Sequence, residues 1–117
     1  MDSVALVVGS CWVFAGLVFV GVSLPLVRQK IPRNPFYGVR LRRSMQSDEA
    51  WYAINRFGGQ RMIVWAIPLI LIGLVALFLP LQTHPGLAIA LGVGPLIFVA
   101  IPLVETMRFA RRYPPRA

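Results

Sequence analysis

The side chains best suited to acid–base, nucleophilic or metal chemistry are few: four carboxylates, one cysteine and one histidine among 117 residues. Asp48 and Glu49 are adjacent, so on a helix they point about 100° apart and do not face a common substrate. A helix start, where the dipole favours negative charge, accounts for them better than acid–base work does. Cys11 is a lone thiol inside an apolar run; it closes no intramolecular disulfide and packs as a small hydrophobe. His84 stands beside Pro85 with no second ligand at metal-binding spacing. Glu105 lies three residues before Arg108, a helical ion-pair spacing, and reads as an interfacial anchor. No Ser/His/Asp or Cys/His set and no phosphate-binding glycine loop is present. The chain is therefore not expected to be an enzyme, and no cofactor or metal is expected.

The elements that must position these residues are three long apolar runs, Val4–Val27, Met62–Leu81 and Gly86–Val104. None contains Asp, Glu, Lys or Arg. About twenty helical residues cross a hydrocarbon core, and each run reaches or approaches that length. The composition, 57% hydrophobic and 14% charged, agrees, since soluble domains carry about 25% charged residues. The predicted fold is an all-α integral membrane protein, one domain over residues 1–117, with spans at about 4–27, 62–81 and 86–104. A loop at 28–61 and a tail at 105–117 complete it. Met1-Asp2-Ser3 is acidic where a secretory signal is basic, so the first run is expected to stay in the membrane.

All twelve Lys and Arg lie in the loop or the tail, while the N-terminus and the Gln82–Pro85 turn hold none. The positive-inside rule then places the N-terminus outside and the loop and C-terminus in the cytoplasm, in a bacterial inner membrane. A net charge of +8 beside membrane spans suits anionic lipid headgroups, and direct nucleic-acid binding is not expected.

Small residues repeat at packing intervals: Ala5, Gly9 and Gly16 in the first run, Gly86, Ala90 and Gly94 with Ala88 and Gly92 in the third. Such spacing lets membrane helices approach closely, within a three-helix unit or in a homo-oligomer. Pro68, Pro95 and Pro102 should bend their helices. Without an ionisable residue in any span, a conducting or transport path has little support.

The loop is too long to be a mere connection. Pro32, Asn34-Pro35 and Gly38 surround Phe36 and Tyr37, which predicts a compact turn at headgroup level with both aromatics dipping inward. Ser47 then caps a helix opened by Asp48 and Glu49. Ala50, Ile54 and Phe57 share a face with Trp51 at its edge, and Gly58-Gly59 breaks the pattern before Arg61. This predicts a short amphipathic helix in the loop, separate from the second span.

Pro32-Arg33-Asn34-Pro35-Phe36-Tyr37-Gly38-Val39-Arg40, followed by Ser47-Asp48-Glu49-Ala50-Trp51 and Asn55-Arg56, closely resembles the signature of the SdpI family of membrane proteins. There a P-x-N-x-x-x-G-x-R turn follows one span, and S-x-E-x-W opens a helix leading to two more. The resemblance covers nearly the whole chain in motif, order and span count. Members commonly carry Thr-Pro after the motif arginine, where this chain has Leu41-Arg42-Arg43, a more basic turn. The name-giving protein also has further spans before this three-span module.

The resemblance implies immunity to a secreted membrane-active toxin peptide, and signalling by holding a soluble DNA-binding repressor at the membrane. Pro32, Asn34, Gly38, Arg40, Ser47, Glu49, Trp51 and Asn55 would then form the cytoplasmic platform, enlarged in charge by Arg42 and Arg43. Each also has a fold-maintaining reading: Asn34 capping a turn, Arg40 pairing with Asp48, Glu49 or a lipid phosphate, Trp51 anchoring a helix at the interface. A different class of role, a structural accessory subunit of a larger membrane complex, is suggested by the small-residue stripes.

Overall fold

Helix α1, Ser3–Val27, opens where the Asp2 carboxylate accepts the Ala5 N–H at 2.9 Å. Such an N-cap satisfies a donor that the first helical turn leaves free. It closes in a Schellman arrangement: the Lys30 N–H donates to the Pro25 carbonyl and the Gln29 N–H to that of Leu26. Gln29 takes the left-handed conformation, φ 58°, that this ending requires. A computed structural model describes residues 2–113 and, among these, contains helices and no strand.

Helix α2, Asp48–Ala76, is capped by the Ser47 side chain, which accepts the Ala50 N–H at 3.0 Å. It runs unbroken through Gly58 and Gly59. The predicted break, and with it a separate amphipathic loop helix, is thus corrected. Those glycines serve close approach instead. A Cβ on Gly59 would lie 2.9 Å from Val27 Cγ2 and 3.0 Å from the Ser23 carbonyl oxygen; one on Gly58 would lie 3.0 Å from Thr106 Cγ2. The helix ends at Ala76 rather than Leu81. Phe78 and Leu79 bond three residues back in tightening turns, and Pro80, which has no N–H, disfavours helix in the residue before it.

After a 3₁₀ turn at Leu81–Thr83 the third apolar segment rises as α3, Pro85–Val93, and α4, Ile97–Arg112, joined by a 3₁₀ turn at Gly94–Leu96. Pro95 sits in that interruption, so the expected bend there takes the form of a change of helix type. Three helical segments, Ser3–Val27, Asp48–Ala76 and Pro85–Arg112, are long and apolar enough to cross a membrane.

Helices α1 and α2 are antiparallel and closely packed. Gly9 meets Gly73 so tightly that a Cβ on Gly9 would stand 2.6 Å from the Gly73 oxygen; Gly16 opposes Ala66 and Ile70. The α1 stripe therefore packs inside the unit. Helix α4 lies on another side of α2, through a Phe57–Phe109 stack at 4.2 Å and a Trp65–Phe98 stack at 5.8 Å. Helix α3 has no buried residue, and Gly86, Gly92 and Gly94 face open space. It is tied to α1 by the Trp12 indole, which donates to the Leu91 carbonyl at 2.8 Å. A short core of Ala5, Ala76 and Leu81 closes the end opposite the loop. There the Gln82 N–H donates to Asp2 at 2.8 Å, and the Ser3 hydroxyl donates to Gln82 Oε1 at 3.0 Å.

Candidate functional site at the charged end

The molecule is 59 Å long, well beyond a hydrocarbon core of about 30 Å. Much of the excess is the first half of α2, from Asp48 to Arg61, which spans about 20 Å at 1.5 Å per residue. The loop from Arg28 to Ser47 wraps this projection, and the end of α4 braces it.

The loop is fastened by side chains that bond to backbone. Asn34 Oδ1 accepts the N–H groups of Phe36 at 2.9 Å and Tyr37 at 2.7 Å. Its Nδ2 donates to the carbonyls of Pro32 at 2.8 Å and Tyr37 at 3.1 Å. The Tyr37 hydroxyl donates to the Val22 carbonyl of α1. Gly38 follows at φ 109°, a conformation that suits glycine, and a Cβ there would lie 2.7 Å from Asn55 Oδ1 and 3.0 Å from the Trp51 ring. Asn55, buried on α2, accepts the Val39 N–H at 2.5 Å and donates to the carbonyls of Val39 and Trp51. Trp51 is fully buried and its indole donates to the Ile31 carbonyl at 2.8 Å.

Asn34, Gly38, Trp51 and Asn55 thus converge on one knot. Trp51 is a buried pin rather than an exposed interfacial anchor, and Tyr37 and Phe36 part company: Tyr37 folds onto α1 while Phe36 is 92% exposed. Pro32 is exposed and contributes its carbonyl, and Ser47 caps α2. Arg40 stands apart. It is exposed and forms no ion pair among the described residues, so pairing with Asp48 or Glu49 is not observed. Arg33 lies 3.6 Å from Asp48 and donates to the Met45 carbonyl at 2.9 Å. Glu49 accepts from the Tyr113 hydroxyl at 3.1 Å.

Two contributors escaped the reading of the sequence, and a third, Glu105, has a different partner from the one its spacing predicts. Ser44 is fully buried, accepting the Leu41 N–H and facing the Val39 and Leu41 carbonyls, all at 2.8 Å. The end of α4 clamps the projection: Ala110 joins Ala50 and Ile54 in a core, and Arg43 donates to the Tyr113 carbonyl at 3.0 Å. Glu105 pairs with Arg61 at 2.9 Å and accepts the Trp65 indole N–H at 2.8 Å. Its partner is therefore on α2, not Arg108 on its own helix, because Arg108 points to the exposed side. Antiparallel packing of two spans was the only signal for that pair.

What remains outward is charge. Arg28, Lys30, Arg40, Arg42, Arg56, Arg108, Arg111 and Arg112 are exposed and form no ion pair among the described residues. The arrangement is a preorganised scaffold bearing unpaired cations, suited to holding anionic groups. No three His, Cys, Asp or Glu side chains among the described residues cluster as metal ligands would.

Comparison with protein families gives a match to the SdpI/YfhL protein family over residues 30–104. The match takes in the loop, α2 and most of the third segment, and begins after α1. No curated protein and no solved structure matches the chain significantly.

Proposed function

We infer the function from two facts: this chain belongs to the SdpI/YfhL family, and its charged end is a tied loop on a helical projection carrying unpaired cations. It is a multi-pass protein of the bacterial cytoplasmic membrane, with its N-terminus outside and its charged end in the cytoplasm. Its role is non-catalytic: immunity against a membrane-active toxin peptide, with signalling through a soluble regulator docked at the charged end. The observation that carries this reading is the pairing of a rigid knot with outward arginines. Asn34, Gly38, Trp51 and Asn55 are occupied in holding the loop, which leaves Arg42 and the arginines at the end of α4 available to a partner.

The test is co-purification from native membranes in mild detergent, comparing the intact protein with an Arg42→Ala, Arg111→Ala variant of equal abundance. Recovery of a soluble DNA-binding regulator, lost in the variant, is the expected result; toxin survival is scored in the same strains. Recovery of membrane proteins alone, unchanged in the variant, sinks docking and favours the second reading. That reading, an accessory subunit or homo-oligomer, is favoured by the third segment, where Gly86, Ala90 and Gly94 stay exposed.

A further inference from the structure

The boundary of the apolar slab can be located on two helices. On α1 it lies near Val27, where the uncharged run gives way to Arg28 and Lys30. On α2 it lies near Arg61, whose pair with Glu105 marks the last charges before an uncharged run. These levels meet, because Gly59 packs against Ser23, Leu26 and Val27. The Asn34 turn runs outward from this level: the Tyr37 hydroxyl reaches back to the Val22 carbonyl, within the apolar run of α1, while Gly38 packs on Asn55 and Trp51 farther out along α2. The turn does not project into the surrounding water as a free loop.

On that turn sits Phe36, 92% exposed. Asn34 fixes the backbone at Phe36 and Tyr37, so the ring stands on an ordered turn. Within eight residues of it in the chain, Arg28, Lys30 and Arg40 are exposed and form no ion pair among the described residues, whereas Arg33 is engaged by Asp48 and Met45. An aromatic ring presented at the interface beside unpaired cations is complementary to an anionic lipid surface, with ring in the acyl boundary and cations on phosphate.

We propose that the turn from Pro32 to Arg40 is a lipid-binding foot: Phe36 enters the bilayer interface, and Arg28, Lys30 and Arg40 gather anionic headgroups. An acidic protein surface is the other class of occupant these cations could take. The level of the turn and the outward phenyl ring favour lipid. The foot divides the charged end, leaving Arg42 and the arginines at the end of α4 as the part directed at soluble partners, and it does not depend on docking of a regulator.

The experiment uses the full chain with Cys11→Ala, carrying a nitroxide at Phe36→Cys or, for comparison, at the exposed Gln46→Cys, in phosphatidylcholine vesicles with and without phosphatidylglycerol. The label at 36 is expected to collide more with oxygen than with a water-soluble nickel chelate, and the label at 46 the reverse. Equal exposure of both sites to the chelate overturns insertion. In a second arm, enrichment of spin-labelled phosphatidylglycerol over phosphatidylcholine around the protein is compared with that of an Arg28→Gln, Lys30→Gln, Arg40→Gln variant. A drop of about fivefold or more is expected, the equivalent of one lost contact of ~1 kcal/mol. Unchanged enrichment, with helix content preserved, overturns the headgroup site.

Discussion

Asn55 does most to join the loop to α2. Buried, it completes both backbone groups of Val39 and caps the Trp51 carbonyl. Asn55→Ala leaves the Val39 N–H buried without a partner, which costs about 1–3 kcal/mol; exposed Arg40→Ala stays within about 0.5 kcal/mol. Reversible unfolding in mixed micelles measures both. Tyr113 carries a pH dependence. Burial first, and the Glu49 carboxylate that accepts its proton second, push its hydroxyl above the usual tyrosine range. Its stabilising contact is complete below about pH 10 and is lost as pH rises through the higher folded-state value. A tyrosinate absorbance titration should show one late phase that Tyr113→Phe removes. At this scale the Asn34 turn and the Ser47 cap were legible, because each acts within three residues of itself. Asn55 and Trp51 were legible as motif members but not in their work, since their partners lie sixteen and twenty residues away. Ser44 carried no mark distinguishing it from any polar loop residue.

Among the elements, the contact of α1 with α2 depends on glycine. A methyl group on Gly9 would meet the Gly73 oxygen and Leu77 at 2.6 Å, so Gly9→Ala should destabilise by about 1–3 kcal/mol through overpacking. Gly92→Ala meets nothing within 4 Å and should be neutral or stabilise by roughly 0.5–1 kcal/mol, from helix preference alone. Unfolding of the two variants side by side checks the contrast. The three apolar segments were legible from length and composition, and so was the packing use of the α1 stripe. Gly58-Gly59 misled because a glycine pair has one appearance in sequence and two uses, to stop a helix or to admit a neighbour. Deciding between them needs the opposing Ser23, Val27 and Thr106, which local pattern does not supply. In the third segment Ala88 packs against Ala5, Ala76 and Leu81 while Gly86, Ala90 and Gly94 at the same four-residue spacing stay exposed, so spacing reports the capacity to pack and not the helix packed against.

For the whole molecule, the third segment is attached in two places of unequal strength. Helix α4 is held to α2 by stacked rings, the Arg61–Glu105 pair and the Ala50–Ile54–Ala110 core. Helix α3, beyond the 3₁₀ turn at Gly94–Leu96, has no buried residue and is bonded to α1 through Trp12. Trp12→Phe should therefore broaden the distribution of distances between spin labels on α1 and α3, at a cost of about 1 kcal/mol, while distances between α2 and α4 keep their width. The clamp at the charged end also fixes an order of events in time. Ribosomes deliver a chain from its N-terminus, and apart from Val22 of α1 the partners outside the loop that fasten it emerge after it: Trp51 and Asn55 first, then Phe109, Ala110 and Tyr113. Until α4 has emerged the projection lacks its brace, so a nascent chain halted before α4 would display a loop tied to α1 and α2 on an unbraced helix, open to whatever meets it first.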